Sequence, residues 1–124
     1  MQKLADYAPL AARILLAILF LLAGLGKLAD VQGFTGYLTS GGLPAILAWP
    51  AILFEIAVGV LLIVGWQVRY TALAAAAFCV VSAALYHNNF ADQMQMVMFL
   101  KNLAIAGGFL LLAANGPGKF ALDK

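Results

Sequence analysis

The sequence predicts an all-α polytopic membrane protein, a bundle of four transmembrane helices, and two observations carry that prediction. The chain of 124 residues is 65% hydrophobic and only 10% charged, with a mean hydropathy of +1.01. A soluble domain carries about 25% charged residues, so a bilayer must be the solvent for this surface. The apolar residues also fall into four runs, each close to the roughly 20 residues that cross a hydrocarbon core. We expect one domain, residues 1–124.

Composition also excludes several classes of function. The net charge of +2 is small and the basic residues are scattered, so we expect no nucleic-acid partner. Cys79 is the single cysteine and lies in an apolar stretch, where core packing is its expected role. One thiol forms neither an internal disulfide nor a CxxC pair, so this chain is not expected to perform thiol–disulfide exchange alone.

The first span is predicted at about residues 10–29. A signal peptide is the competing interpretation, because Lys3 gives the chain a short basic start. We favour a span, since the apolar run has the length of a full crossing and no clear small-residue cleavage site follows it. The next stretch, Asp30–Gly42, is polar and rich in glycine, and it is predicted to be a loop.

The second span is predicted at about residues 43–65. Pro44 suits the first turn of a helix, where its missing N–H costs nothing. A helix that began only at Pro50 would be about 24 Å long, which is short for a core of about 30 Å. We therefore expect entry near Pro44 and a kink or brief irregularity near Pro50. Trp66 follows in a tight connection and is expected to be an interfacial anchor.

The third span is predicted at about residues 68–87 and the fourth at about residues 97–114. A loop, Phe90–Met96, is expected between them. The fourth span ends at Asn115–Gly118, where glycine and proline follow the last apolar residues as a helix stop. An even number of spans places both termini on one side of the membrane.

Basic residues predict which side that is. The side with the termini carries more of them than the opposite side, where Lys27 and Lys101 lie within the spans. Cytoplasmic segments of membrane proteins carry the excess of Lys and Arg, so both termini are predicted to be cytoplasmic. The residues counted on the terminal side are Lys3, Arg13, Arg69, Lys119 and Lys124.

Glu55 is the only glutamate of the chain and lies in the middle of the second span. A charge at that depth costs about 2.5–3.5 kcal/mol on insertion scales, so a partner is required. Helical spacing places small and ionisable residues on one stripe of each span, and these stripes are expected to face the bundle interior. The stripes are Arg13, Phe20, Gly24 and Lys27; Glu55, Gly59, Leu62 and Trp66; Arg69, Ala76, Ala83 and His87; and Lys101, Ile105, Gly108 and Leu112.

These stripes define a candidate site for ligand binding or proton handling. Glu55 is expected near the membrane midplane, with Lys27 and Lys101 approaching it from the side opposite the termini and Arg13 from the terminal side. His87 is placed at the mouth as an interfacial residue or a proton donor, and Asn102 is expected to hydrogen-bond between helices. The excess of cations over anions in this site favours an anionic or polar ligand, such as a quinone carbonyl or an oxyanion. The alternative is a purely structural ion pair.

No metal site is predicted. His87 with Met94, Met96 and Met98 resembles a set of soft ligands for copper(I), but alternating methionines at a membrane boundary are more often apolar filling. The sequence contains no glycine-rich phosphate loop and no nucleophile–base pair of convincing spacing.

A set of motifs extends over nearly the whole chain. They are RILLAILFLLAGLGKL in the first span, Tyr37 and GGLP before the second, Glu55, Gly59, Gly65, Arg69 and His87, and KNLAIAGGFLLLAANGPG in the last. In these motifs the sequence resembles the DoxX family of small four-span membrane proteins, and we expect it in the bacterial inner membrane. The C-terminal residues Ala121-Leu122-Asp123 depart from the Ser-Leu-Asp often found in the family.

The resemblance implies a membrane component of a quinone-linked oxidoreductase or redox-stress system. Quinone would then be the ligand, and because no flavin, haem or disulfide centre is evident in the chain, electrons would pass through partner oxidoreductase subunits. Whether the chain is itself an enzyme stays open, and so does homo-oligomer formation. The alternative, from a different class, is a non-catalytic scaffold or chaperone for a partner membrane protein. A small transporter is a third hypothesis that would need oligomerisation.

Overall fold

Five α-helices make up the computed structural model, which describes residues 1–123. Four of them are long and apolar enough to cross a membrane, which confirms the predicted all-α membrane fold. Lys124, counted above among the basic residues, lies outside the described residues. The helices are α1 (Gln2–Ala29), α2 (Val31–Ser40), α3 (Ala48–Val64, preceded by a 3-10 turn at Ala45–Leu47), α4 (Val68–Tyr86) and α5 (Gln93–Asn115).

Helix α2 corrects the predicted loop at Asp30–Gly42. The side chain of Asp30 accepts a hydrogen bond from the backbone N–H of Gly33 at 3.0 Å, which caps the helix, and Phe34 and Leu38 are spaced to share one face. The predicted loop Phe90–Met96 is also too long. Asp92 caps α5 through the N–H of Met94, so the helix begins four residues before the predicted Val97.

The expected irregularity of the second span lies just before Pro50. Pro44 precedes the 3-10 turn, and the α-helix starts at Ala48, so Pro50 falls in the first turn, where no intrahelical N–H is needed. The N-terminal helix is longer than predicted, since α1 starts at Gln2.

The bundle consists of two tightly packed helix pairs. Helix α1 lies along α3, and α4 lies along α5, whereas contacts between the pairs are fewer. Glycines explain the closeness of the first pair, because a Cβ on Gly24 would lie 2.7 Å from Ile56 and one on Gly59 would meet Leu21. In the second pair the alanines of α4 pack against Phe109 and Leu112 of α5.

The two pairs join most closely in the half of the bundle that holds the termini, called here the terminal side. The core cluster lies there, with Phe20 and Phe109 in an edge-to-face contact 5.3 Å apart. Residues after α5 fold back over the α3–α4 turn. The Asp123 carboxylate accepts hydrogen bonds from the N–H groups of Gln67 and Val68 at 2.8 and 2.9 Å, so the tail caps α4. At the opposite end, called the loop side, the pairs leave a space between them.

Candidate functional site

The space between the two helix pairs is a cavity of about 760 Å³ on the loop side of the bundle. Its walls are mostly apolar, and a few polar groups face into it, which is the usual character of a small-molecule site. All five helices contribute to its lining, which is Leu19, Phe20, Ala23, Lys27, Phe34, Tyr37, Leu38, Leu43, Leu47, Pro50, Ala51, Phe54, Glu55, Ala74, Ala77, Phe78, Cys79, Val81, Ser82, Leu85, Tyr86, His87, Lys101, Asn102 and Ile105.

A direct ion pair between Lys27 and Glu55 lies in the wall of this cavity. The Lys27 ammonium Nζ donates to Oε1 of Glu55 at 2.5 Å, and the Glu55 side chain is only 2% exposed. The pair joins the last turn of α1 to the middle of α3, so the charge of Glu55 is matched within its own helix pair. This contact supplies the partner that the buried carboxylate requires.

The ion pair leaves hydrogen-bonding capacity on both sides. Oε2 of Glu55 has no hydrogen-bond partner among residues 1–123. The Lys27 ammonium also lies 5.0 Å from the centre of the Phe34 ring, a cation–π distance, and it carries three N–H donors. A ligand in the cavity can therefore receive a hydrogen bond from Lys27 and donate one to Glu55 at the same place.

Helix α2 covers the loop-side end of the cavity. Tyr86, at the end of α4, donates its hydroxyl hydrogen bond to the backbone oxygen of Leu38 at 2.6 Å, and its ring lies 4.8 Å from that of Tyr37. Gly41 makes this approach feasible, because a Cβ there would overlap the Tyr86 ring. Burial raises the pKa of the Tyr37 hydroxyl, and Tyr86 adds to that shift, so Tyr37 stays protonated as a donor.

The predicted partner Lys101 faces the same cavity without pairing to Glu55. It belongs to α5, in the other helix pair, and among residues 1–123 no carboxylate lies within ion-pair distance of it. The neighbouring Asn102 donates from Nδ2 to the backbone oxygen of Cys79 at 3.3 Å, which ties α5 to α4 as expected for an interhelical hydrogen bond. His87 lines the cavity too, with Nδ1 3.3 Å from Oε1 of Gln95.

Arg13 is the one candidate that the structure does not bring to the cavity. It is fully buried on the terminal side, fourteen residues before Lys27 and so about 21 Å along the helix. Its guanidinium donates to the oxygens of Leu62 at 3.0 Å and of Ile63 at 3.4 Å, at the end of α3, and also to the oxygen of Phe120. These contacts cap a helix C-terminus, where a cation is favoured.

Two comparisons with known proteins bear on identity. A family model described as DoxX matches residues 8–88, which span α1 to the end of α4. The inner membrane protein YqjF of Escherichia coli (strain K12) is 44% identical over 124 residues, covering 100% of this chain and 95% of the relative. The chain belongs to the DoxX family. It is also 32% identical to the inner membrane protein YphA of the same organism, over 93% of this chain and 87% of that protein. No solved structure matches the chain.

The residues matched by the DoxX family model include Lys27, Glu55 and His87, whereas Lys101 and Asn102 lie beyond the matched range, on α5. With four apolar helices and relatives named as inner membrane proteins, this DoxX protein is a multi-pass inner membrane protein. Among residues 1–123 no group of three His, Cys, Asp or Glu residues is placed to hold a metal ion.

Sequence reasoning missed the aromatic part of the site. Phe34, Tyr37, Phe54, Phe78 and Tyr86 line the cavity, and the rings of Phe54 and Phe78 lie 5.1 Å apart. The signal for Phe34 and Tyr37 was present in the three- and four-residue spacing of apolar side chains after Asp30, which marks an amphipathic helix. For Phe54 and Phe78 the sequence holds no comparable signal, because an aromatic residue in a span packs equally well against lipid.

Proposed function

We propose that this DoxX protein is a membrane component of a quinone-linked redox system, and that it binds the quinone head group in the cavity beside Lys27 and Glu55. The single observation that carries the proposal is the placement of a donor–acceptor pair in an apolar, partly aromatic cavity of about 760 Å³. A quinone needs such surroundings, because its ring is apolar and flat while its carbonyl oxygens accept hydrogen bonds.

Both the oxidised quinone and the reduced quinol find a hydrogen-bond partner in the Lys27–Glu55 pair. The free N–H groups of Lys27 donate to a quinone carbonyl oxygen. This hydrogen bond strengthens as the ring is reduced, because the oxygen gains negative charge. The free Oε2 of Glu55 accepts the hydrogen bond from a quinol hydroxyl. The site thus accommodates both the oxidised and the reduced ring, and electrons are exchanged by a partner oxidoreductase, which supplies the redox centre.

The competing candidate is a scaffold or chaperone, and one observation favours it. Lys27 and Glu55 are in direct contact, so their charges neutralise each other without a ligand. A scaffold role predicts that both residues matter for the stability of the bundle and for co-purification of a partner, and that the cavity binds no quinone.

Quinone titration separates the two candidates. Trp49 lies between the cavity residues Leu47 and Pro50, while Trp66 lies on the terminal side, so a Trp66→Phe background leaves one reporter beside the site. In lipid nanodiscs, a ubiquinone analogue with a ten-carbon chain is expected to quench Trp49 saturably. Glu55→Gln is expected to raise the Kd about tenfold, equivalent to about 1.4 kcal/mol.

The matched control is Asp6→Asn, which changes a carboxylate on the terminal side and should leave the Kd unchanged. Linear quenching with no saturation in the background protein would reject the quinone site. Equal Kd values for the background protein and Glu55→Gln would reject the role of Glu55. Only the first outcome favours the scaffold candidate, which predicts that the cavity binds no quinone.

A further inference from the structure

On the side of the cavity between α3 and α4, several of the lining residues are also exposed on the surface of the bundle. Ala74, Ala77 and Val81 line the cavity and are exposed as well. Their spacing of three and four residues places them on one strip of α4. These side chains are small, whereas Phe78 on the same strip reaches α3. The boundary of the cavity between α3 and α4 is called here the α3–α4 seam.

The facing strip belongs to the start of the second span. Leu47, Pro50, Ala51 and Phe54 line the cavity with the same three- and four-residue spacing. Leu47 and Pro50 are exposed, Ala51 is half-buried, and none of the four is charged. Both walls of the seam are therefore apolar, and across it Phe54 contacts Phe78 of α4, with 5.1 Å between the ring centroids.

The other boundaries of the cavity are less suited to hydrocarbon. On the loop side, α2 is held over the cavity by the hydrogen bond from Tyr86 to Leu38 and by the Tyr37–Tyr86 contact. Between α1 and α5 the lining includes the charged residue Lys101. A hydrocarbon chain beside that charge would displace the water that solvates it, which costs free energy. The α3–α4 seam carries no charge, so a chain there has no such cost. The terminal side is filled by the core cluster.

The volume of the cavity also favours the α3–α4 seam as the place for a hydrocarbon tail. Cavities of roughly 300–1,000 Å³ enclose most of a drug-sized ligand, so this one at about 760 Å³ holds a substituted ring and a short stretch of chain. The remainder of a long hydrocarbon tail must lie outside. Of the boundaries described, the α3–α4 seam is the one whose lining residues are both exposed and uncharged.

We propose that the ligand is a membrane-dissolved amphiphile that enters through the α3–α4 seam, places its polar ring beside Lys27 and Glu55, and leaves its hydrocarbon tail in the seam. This inference rests on the proposed function for the nature of the ring, and it adds the route of entry and the requirement for a tail. Molecules without a tail lose the contacts with Ala77 and Val81 and bind more weakly.

Cys79 supplies a native probe of the route, because it lines the cavity and is the single cysteine of the chain. Protein in liposomes is treated either with N-pyrenylmaleimide, which dissolves in the bilayer, or with a sulfonated maleimide confined to water. The first reagent is expected to label Cys79 faster. Ala77→Phe should slow that labelling about tenfold, as a barrier raised by about 1.4 kcal/mol does.

Controls address folding and position. Val81→Trp narrows the same seam at a second site and should reproduce the effect of Ala77→Phe. Ala104→Phe adds the same bulk to an exposed alanine of α5 that does not line the cavity, and it should label at the wild-type rate. Cys79→Ser should abolish labelling. Faster labelling by the water-soluble reagent, or no effect of either seam variant, would overturn the lateral route.

Ligand binding then distinguishes the seam from the proposed function. A ten-carbon ubiquinone analogue is expected to bind about tenfold more weakly to Ala77→Phe than to wild type, whereas 2,3-dimethoxy-5-methyl-1,4-benzoquinone, which has no tail, should bind both equally. Equal losses, or none, for the two compounds would overturn the tail placement while the quinone site stands. If neither compound binds wild type, the proposed function fails, and the labelling rates still decide the route.

Discussion

Lys27 and Glu55 form an ion pair that joins the end of α1 to the middle of α3, with 2.5 Å between Nζ and Oε1. The two ends of the pair differ in exposure: the Glu55 side chain is 2% exposed, whereas that of Lys27 is 31% exposed. The carboxylate therefore depends on the pair more than the ammonium does, because Lys27 retains access to other partners.

Removal of the Glu55 charge is expected to destabilise the bundle. Glu55→Gln weakens a buried, charge-assisted hydrogen bond, and we expect a loss of about 1–3 kcal/mol in the free energy of unfolding in detergent. Adding Lys27→Met to that variant should restore part of the loss, because no unpaired ammonium then remains beside the cavity. Asp6→Asn is the control. It removes a partly exposed pair with Lys119 at 3.9 Å and should change the stability by less than about 0.5 kcal/mol. Equal stability of Glu55→Gln and wild type would contradict this prediction.

The fold was predictable from the sequence to the extent that hydropathy and span length decide it. Four apolar runs of span length leave few architectures besides a helix bundle, and Glu55 within one of them requires an internal partner. Helix α2 was missed because the four glycines of residues 30–42 suggested a loop, although Asp30 already marked a helix start.

The pairing within the site was only half predictable. Depth along a span follows from residue number, so the sequence predicts Lys27 and Lys101 on the side of Glu55 away from the termini, and both line the cavity there. Which of them contacts Glu55 depends on which helices pack together, and that is decided by Gly24 and Gly59 bringing α1 onto α3. Arg13 shares a stripe with Lys27, yet the carbonyl oxygens at the end of α3 bind it instead.

Arg13 is expected to matter for stability and not for the cavity. Arg13→Lys keeps the charge but loses the planar fork that reaches Leu62 and Phe120 together, so we expect a loss of about 1–3 kcal/mol in unfolding free energy. The quinone Kd should be unchanged. Arg69→Lys is the matched comparison, because Arg69 donates to the oxygens of Ala113 and Ala114 at the end of α5 but is exposed, and its loss should be smaller. A large rise in the Kd for folded Arg13→Lys would return Arg13 to the ligand site.

Close packing of α1 on α3 depends on Gly59. A Cβ at this position would meet the Leu21 side chain and lie 3.2 Å from the backbone oxygen of Ala17, so the helices must separate to admit it. We expect Gly59→Ala to cost about 1–3 kcal/mol. Gly107→Ala is the control, since nothing lies within 4 Å of a Cβ there, and replacing a helical glycine should gain about 0.5–1 kcal/mol. Thermal unfolding of the two variants in one detergent measures the difference, and the prediction fails if both shift in the same direction.

Both termini are predicted to lie in the cytoplasm. The structure places the N-terminal end of α1 and the C-terminal tail on one side, where the Tyr7 and Phe120 rings stack at 5.2 Å, so the two must share a compartment. Lys3, Arg69 and Lys119 add positive charge to that side, and positively charged segments stay in the cytoplasm.

A green fluorescent protein fused after the tail should therefore fluoresce, and alkaline phosphatase at the same point should be inactive. Phosphatase fused after Asn89, between α4 and α5, should be active, because that segment lies on the opposite side. The reverse pattern would show that the distribution of the seven basic residues does not set the orientation. It would also place the loop-side end of the cavity, which α2 covers, on the cytoplasmic side.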